Sequence, residues 1–175
     1  MGVLIMKKSI FLSVATVFLA VLMLASFACS GGKDKPNGGD PITAEELYQK
    51  VLAVSGFGNM TAVTKRDYAE IYGIDANNFA DHFWYVSDNP SLNADEAAAF
   101  LVKPESEGYV DVLKALLQKH LDTRINVAES YSPEEAGKLR QAEVVTVKNN
   151  SGIWAYFCVG SQYSKMKTSL MHDIG

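Results

Sequence analysis

At 175 residues, 48% hydrophobic and 21% charged, the chain is long enough for one domain with its own core and too short for two comfortable ones. Its formal charge of −4 argues against nucleic acid as a partner and against electrostatic attraction to anionic lipid. With only Cys29 and Cys158 present, a disulfide framework is excluded.

Residues 7–29 have the order of a secretory signal. Lys7 and Lys8 precede an uncharged apolar run over 10–28, and the run closes on Ser26-Phe27-Ala28-Cys29. A cysteine directly after a small residue resembles a bacterial lipoprotein signal, in which Cys29 is lipidated and becomes the mature N-terminus. The run is about as long as the ~20 residues of a spanning helix, so an uncleaved anchor and an ordinary signal peptide are competing readings. The place of Cys29, between the apolar run and a polar tether, favours the lipoprotein. Ser26 stands where such signals usually carry Leu. Cleavage would leave 147 residues with 14 basic and 20 acidic side chains, a formal −6. The expected organisation is a signal peptide over 1–28, a tether over 29–41 and one domain over 42–175. The tether, rich in Gly, Lys, Asp, Asn and Pro, lacks the apolar residues to fold.

Order begins at Thr43, where Thr43-Ala44-Glu45-Glu46 is a capping-box pattern. Leu47, Val51 and Val54 recur at helical spacing after it, and Gly56 ends the helix. Residues 60–63 are too short to read. A second helix is expected over 64–72 and a further turn over 75–79. Residues 82–86 are dense in aromatics and read as a strand, and Asp88-Asn89-Pro90-Ser91 as a turn. Residues 94–102 are ambiguous: three alanines favour a helix, Phe100-Leu101-Val102 a strand, and a strand over 97–103 is the reading adopted. A long helix is expected over 105–127, with Val110, Leu113, Leu117 and Leu121 on one stripe. Ser132-Pro133-Glu134-Glu135 then reads as a second capping box, opening a helix to about residue 140. Residues 143–148 and 152–159 are strands around a hairpin turn. A last helix, capped by Gly160-Ser161, runs to Met171. Paired strands imply antiparallel pairing, and the expected fold is α+β: a four-stranded sheet with the long helix on one face, a two-layer sandwich.

The combination of Leu47–Val51, Tyr72-Gly73-Ile74-Asp75, Asn93-Ala94-Asp95-Glu96 before an apolar run, Arg124 on the long helix, Tyr131-Ser132-Pro133-Glu134-Glu135 and the closing strand pair resembles the bacterial lipoproteins grouped as domain of unknown function 4358. The resemblance covers roughly residues 43–170. It implies an extracytoplasmic lipoprotein and a strand at 97–102. It supplies no reaction, ligand or site.

The catalytic inventory is thin. His82, His120 and His172 stand in no metal-ligand spacing, so no metal or other cofactor is expected. Cys158 lies between Phe157 and Val159 and reads as a small buried hydrophobe rather than a nucleophile. No Gly-x-Ser-x-Gly or Gly-x-Gly-x-x-Gly is present. The carboxylate pairs Asp95-Glu96 and Glu134-Glu135 read as charges at helix or turn starts. Arg124 and Tyr131 flank a helix junction: Arg124 reads as a solvated helix residue or as an anion contact in a pocket there, Tyr131 as a residue packed on the core. The strands carry aromatics on both faces. Either helices cover both, or one face carrying Trp84, Trp154 and Tyr156 is open as a binding surface. The expected function is a membrane-anchored, non-catalytic binding or accessory module of the envelope. Its partners would be the membrane, through its lipid, and an envelope protein or small ligand. A structural role in an envelope complex and, behind it, an envelope hydrolase are the alternatives.

Overall fold

The computed structural model describes residues 41–175; the expected signal peptide over 1–28, Cys29 and the rest of the expected tether before residue 41 lie outside the described residues. Helix α1 (Ala44–Ser55) begins at the expected capping box: Thr43 Oγ1 accepts from the Glu46 backbone N–H at 3.2 Å and Glu46 accepts from the Thr43 backbone N–H at 2.9 Å. It stops at Gly56, whose φ of 68° is the left-handed cap that glycine adopts without strain. A three-residue strand β1 (Met60–Ala62) follows, then α2 (Lys65–Glu70), opened by a second capping box between Thr64 and Asp67.

A short 3-10 turn (Ala76–Asn78) leads into β2 (Phe79–Ser87), which pairs with β3 (Glu96–Val102). A 3-10 segment (Pro104–Tyr109) feeds the long helix α3 (Val110–Tyr131), and Ser132 separates it from α4 (Pro133–Leu139). Strands β4 (Val145–Asn149) and β5 (Gly152–Val159) form the expected hairpin, and α5 (Tyr163–Ile174) closes the chain. The cap of α5 is Gln162, which makes no side-chain bond, rather than Gly160-Ser161.

The fold is α+β, with one antiparallel sheet in the order β1-β2-β3-β5-β4. It has five strands, not four. The additional strand is β1, which pairs Met60, Thr61 and Ala62 with Ser87, Val86 and Tyr85; three residues are too few to show a period-two pattern. Residues 96–102 do form a strand. It is the central one, flanked by β2 and β5, and Ala97, Ala98 and Ala99 earn their place by being small. Ala98 lies between Trp84 and Phe157, and Ala99 between Phe83 and Tyr156. Packing between bulky neighbours overrides the weak strand propensity of alanine.

Helices cover both faces of the sheet, so the layering is three rather than two. On one face Leu113, Leu117 and Leu121 of α3, with Tyr68 and Leu139, pack on Trp84, Ala98, Phe100, Ala155 and Phe157. On the other, α1 (Leu47, Val51) and α5 (Met166, Leu170, Ile174) pack on Phe83, Ala99, Trp154, Tyr156 and Cys158. Lys50 and Asp173 tie those two helices together at 2.6 Å.

This overturns the open aromatic surface. Trp84 is 1% exposed, Trp154 0% and Tyr156 1%. They do not share a face either: Trp84 lies under α3, Trp154 and Tyr156 under α1 and α5. All three are core. Trp84→Ala and Trp154→Ala are therefore expected each to cost about 3–5 kcal/mol in chemical denaturation; wild-type midpoints would mean that a face is open. Burial also pushes the Cys158 thiol up to about 12, so a thiol reagent should label it slowly in the native protein and rapidly in denaturant. Rapid native labelling would contradict its place in the core.

Candidate binding site

Three local structures converge at one end of α3. The first is the β2–β3 connection over residues 88–95. Asn89 O accepts from the N–H groups of Leu92 and Asn93, both at 3.0 Å, and Asn93 Oδ1 accepts from Asp95 N at 3.0 Å. The carboxamide of Asn93 replaces a backbone partner, so the loop holds itself.

The second is the α3–α4 junction. Pro133 disfavours a helical conformation at Ser132, whose φ and ψ are −151° and 85°. The expected capping box at Ser132 does not form: its side chain makes no cap bond. Its backbone N–H still closes α3 onto Ala128 O at 2.7 Å, so one residue serves as the end of one helix and the start of the next. Glu135 is consequently free to reach across to the loop. It accepts from Ala94 N at 2.6 Å and from Lys138 Nζ at 2.7 Å. Burial alone would raise this carboxyl, but the Lys138 and Ala94 donors outweigh it and hold it below the ordinary range.

The third is a buried charge. Glu96, at the start of β3, is 0% exposed. Strand alternation puts it on the face of Ala98 and Phe100, beneath α3. His120 and Arg124 lie one turn apart on α3 and point at it together. Glu96 Oε1 accepts from Trp84 Nε1 at 2.5 Å and is 2.8 Å from His120 Nε2; Oε2 accepts from Arg124 Nη1. A carboxylate offers only acceptors, so the proton between it and His120 sits on Nε2. Tyr72 packs edge-on to His120 at 5.1 Å and against Trp84 at 4.4 Å. Burial drives the Glu96 carboxyl upward, but His120, Arg124 and the Trp84 N–H together hold it below its usual value. The reading of Glu96 as a turn-start charge is thus wrong, because the turn ends one residue earlier and β3 turns this side chain inward. The missed signal was the His120–Arg124 spacing.

Between these three structures lies a pocket of about 450 Å³, lined by residues of the 88–95 loop, of α3 and of α4. Arg124 and Tyr131 both line it. Arg124 is only 14% exposed and already engaged: besides Glu96, it donates from Nη1 to Ala94 O at 3.4 Å and from Nη2 to Pro90 O at 3.2 Å. It is neither a solvated helix residue nor an open anion contact. Tyr131 is not packed on the core but 82% exposed at the rim, with Leu92 at 72% and Val127 at 55%. Ala94, Ala128 and Leu139 supply the apolar interior. The polar floor is satisfied from within the protein. A charged ligand group buried against Arg124 and Glu135 would lose its water without gaining a partner, so the interior is suited to an apolar group, with the Ser91, Thr123 and Tyr131 hydroxyls as the remaining polar lining. Trp154 and Tyr156 do not line it. Their indole N–H and hydroxyl are buried without a hydrogen-bond partner among the described residues. Among the described residues no cluster of His, Cys, Asp and Glu has the makings of a metal site.

Removing one member of a buried charge cluster costs about 3–5 kcal/mol, so Glu96→Gln is expected to lower stability by that order in urea at neutral pH. Because the folded-state value is depressed, the contribution is present above the ordinary 4.5 and is lost as pH falls through the lower folded value. The gap between wild type and Glu96→Gln should therefore be present at neutral pH and close in strong acid, below the ordinary 4.5. A gap that widens in acid would contradict an ionised Glu96.

The family model described as Domain of unknown function (DUF4358) covers residues 53–152, from the last three residues of α1 through the loop, the buried Glu96 and the pocket to the first residue of β5. No curated protein matches the chain, and no solved structure does. The match spans more than half of the chain, and the protein belongs to the DUF4358 family.

Proposed function

We propose that this protein is a bacterial lipoprotein, anchored outside the cytoplasm by lipid on Cys29, whose domain is a non-catalytic binding module. In this reading the binding site is the pocket at the α3–α4 junction. The observation that carries it is the pairing of an apolar pocket with an exposed apolar rim, Leu92, Val127 and Tyr131. Exposed large hydrophobic side chains are ordinary when scattered, whereas a cluster around a concavity marks a contact surface. The anchoring half rests on the sequence alone: Lys7 and Lys8, the apolar run, and Cys29 directly after Ala28. Acyl chains each contribute about 0.8 kcal/mol per buried methylene, and more than one chain is required for stable anchoring.

Each half has its own test. A photo-crosslinking amino acid placed at Val127 in living cells should trap a partner, while the same group at Val112, an exposed apolar position nearer the start of α3, should not. Identical products at both positions, or none at Val127, would remove the pocket as the site. For the anchor, wild type should fractionate with membranes and carry the mass of a lipidated Cys29, and Cys29→Ser should not; the same unlipidated mass in both would end the lipoprotein reading.

A further inference from the structure

The charge around the pocket is one-sided. The two segments that supply its walls, residues 88–96 and 122–140, hold seven acidic and three basic side chains. All three bases are already ion-paired, Arg124 with Glu96, Lys138 with Glu135 and Arg140 with Glu129. Four carboxylates beside lining residues, Asp88, Asp95, Asp122 and Glu134, have no ion-pair partner among the described residues. Asp88 is bonded to the Thr61 hydroxyl, Asp95 to Asn93 and Asp122 to Gln118, contacts that leave the negative charge in place. Within these two segments every cation is already paired and acidic side chains are in excess, so the apolar pocket is bordered by net negative charge.

Resting on the binding-module reading above, we propose that the occupant is a protein segment that inserts an apolar side chain into the pocket and flanks it with Lys or Arg. Each part of that description has its own source. The apolar anchor follows from the satisfied floor, where Arg124 and Glu135 already have their partners. The size follows from the rim: Leu92 and Tyr131 line the pocket but are 72% and 82% exposed, so a small molecule filling about 450 Å³ would meet only their inner sides, whereas a segment lying across the pocket covers their outer sides too. The positive flanks follow from the four unpaired carboxylates, which steer and select such a segment and repel an acidic one. The same field disfavours the anionic lipid surface as occupant.

The test uses the full-length protein in phosphatidylcholine nanodiscs and a phage-displayed random peptide library as the probe. Selection on wild type, with Leu92→Ser/Val127→Ser protein for counter-selection, should enrich peptides that combine Leu, Met or an aromatic residue with Lys or Arg. In fluorescence anisotropy a selected peptide should lose about tenfold or more in affinity when its bases are replaced by Glu, and again in high salt. Its affinity should also fall for Asp122→Lys/Glu134→Lys, a variant that leaves the apolar walls intact. Enriched peptides without basic bias that still depend on Leu92 and Val127 would overturn the charged-segment proposal and leave the pocket standing as a binding site. Enrichment of peptides indifferent to Leu92 and Val127, no enrichment, or crosslinking from position 127 into phospholipid would also overturn it. Failure of the in-cell crosslink at Val127 is the separate outcome that removes the site itself.

Discussion

A carboxylate with no access to water, held by an indole, an imidazole and a guanidinium, is the constraint on which this fold turns. Glu96 could be buried only where its charge was met at both oxygens. The three donors come from two elements: Trp84 from the neighbouring strand, His120 and Arg124 from the helix above. Meeting the charge therefore fixes where α3 sits along the sheet. Hydrophobic packing by Leu113, Leu117 and Leu121 sets which face of α3 is inward, but a leucine stripe tolerates sliding by a turn, and a three-donor charge site does not. The buried polar cluster thus contributes register, a role for which its net energy matters less than the cost of the wrong alignment.

The same cluster builds the pocket. Arg124 reaches past Glu96 to the carbonyls of Ala94 and Pro90, so the helix, the central strand and the β2–β3 loop share one guanidinium. Glu135 closes the arrangement from α4 through the Ala94 N–H. Residue 94 is thus held at both backbone groups by side chains from two helices, and its own methyl forms part of the pocket wall. An apolar cavity with polar residues around it is usually read as a place where those residues contact a ligand. Here they act on the scaffold, and recognition is left to the hydrophobic rim and to the surrounding carboxylates.

Local signals in the sequence held where the interaction was local, except at two helix starts, where the side-chain cap expected at Ser132 does not form and Gln162 stands in the place expected for Gly160-Ser161. The capping box at Thr43, the left-handed stop at Gly56, the leucine stripe of the long helix and the hairpin before Gly152 each depend on residues a few positions apart, and each lies where expected. Strand alternation likewise separated Trp84 from Phe83 and Trp154 from Phe157. It did not say which face of one strand meets which face of another. Trp84 aligns with Ala98 and Phe157, so the two tryptophans lie on opposite sides of the sheet. That depends on inter-strand register, which residues far apart decide together. Glu96 was misread for the same reason: beside Asp95 it looks like a turn charge, and only the partners 24 and 28 positions away reveal otherwise. Arg124 and Tyr131 were drawn out as neighbours of a helix junction, and they do line one pocket; that Arg124 is already engaged could not be read from its position in the chain.

The direct test of the central constraint is a double-mutant cycle between Glu96 and Arg124. Glu96→Gln, Arg124→Met and the double variant would be unfolded in urea at neutral pH beside wild type. If the charge pair locks α3 to the sheet, the single losses are strongly non-additive, with a coupling of about 1–3 kcal/mol, as groups in direct contact in one network give. Losses that add to within about 0.5 kcal/mol, the behaviour of distant independent sites, would show that Arg124 and Glu96 do not depend on each other and that the helix is placed by its leucines alone.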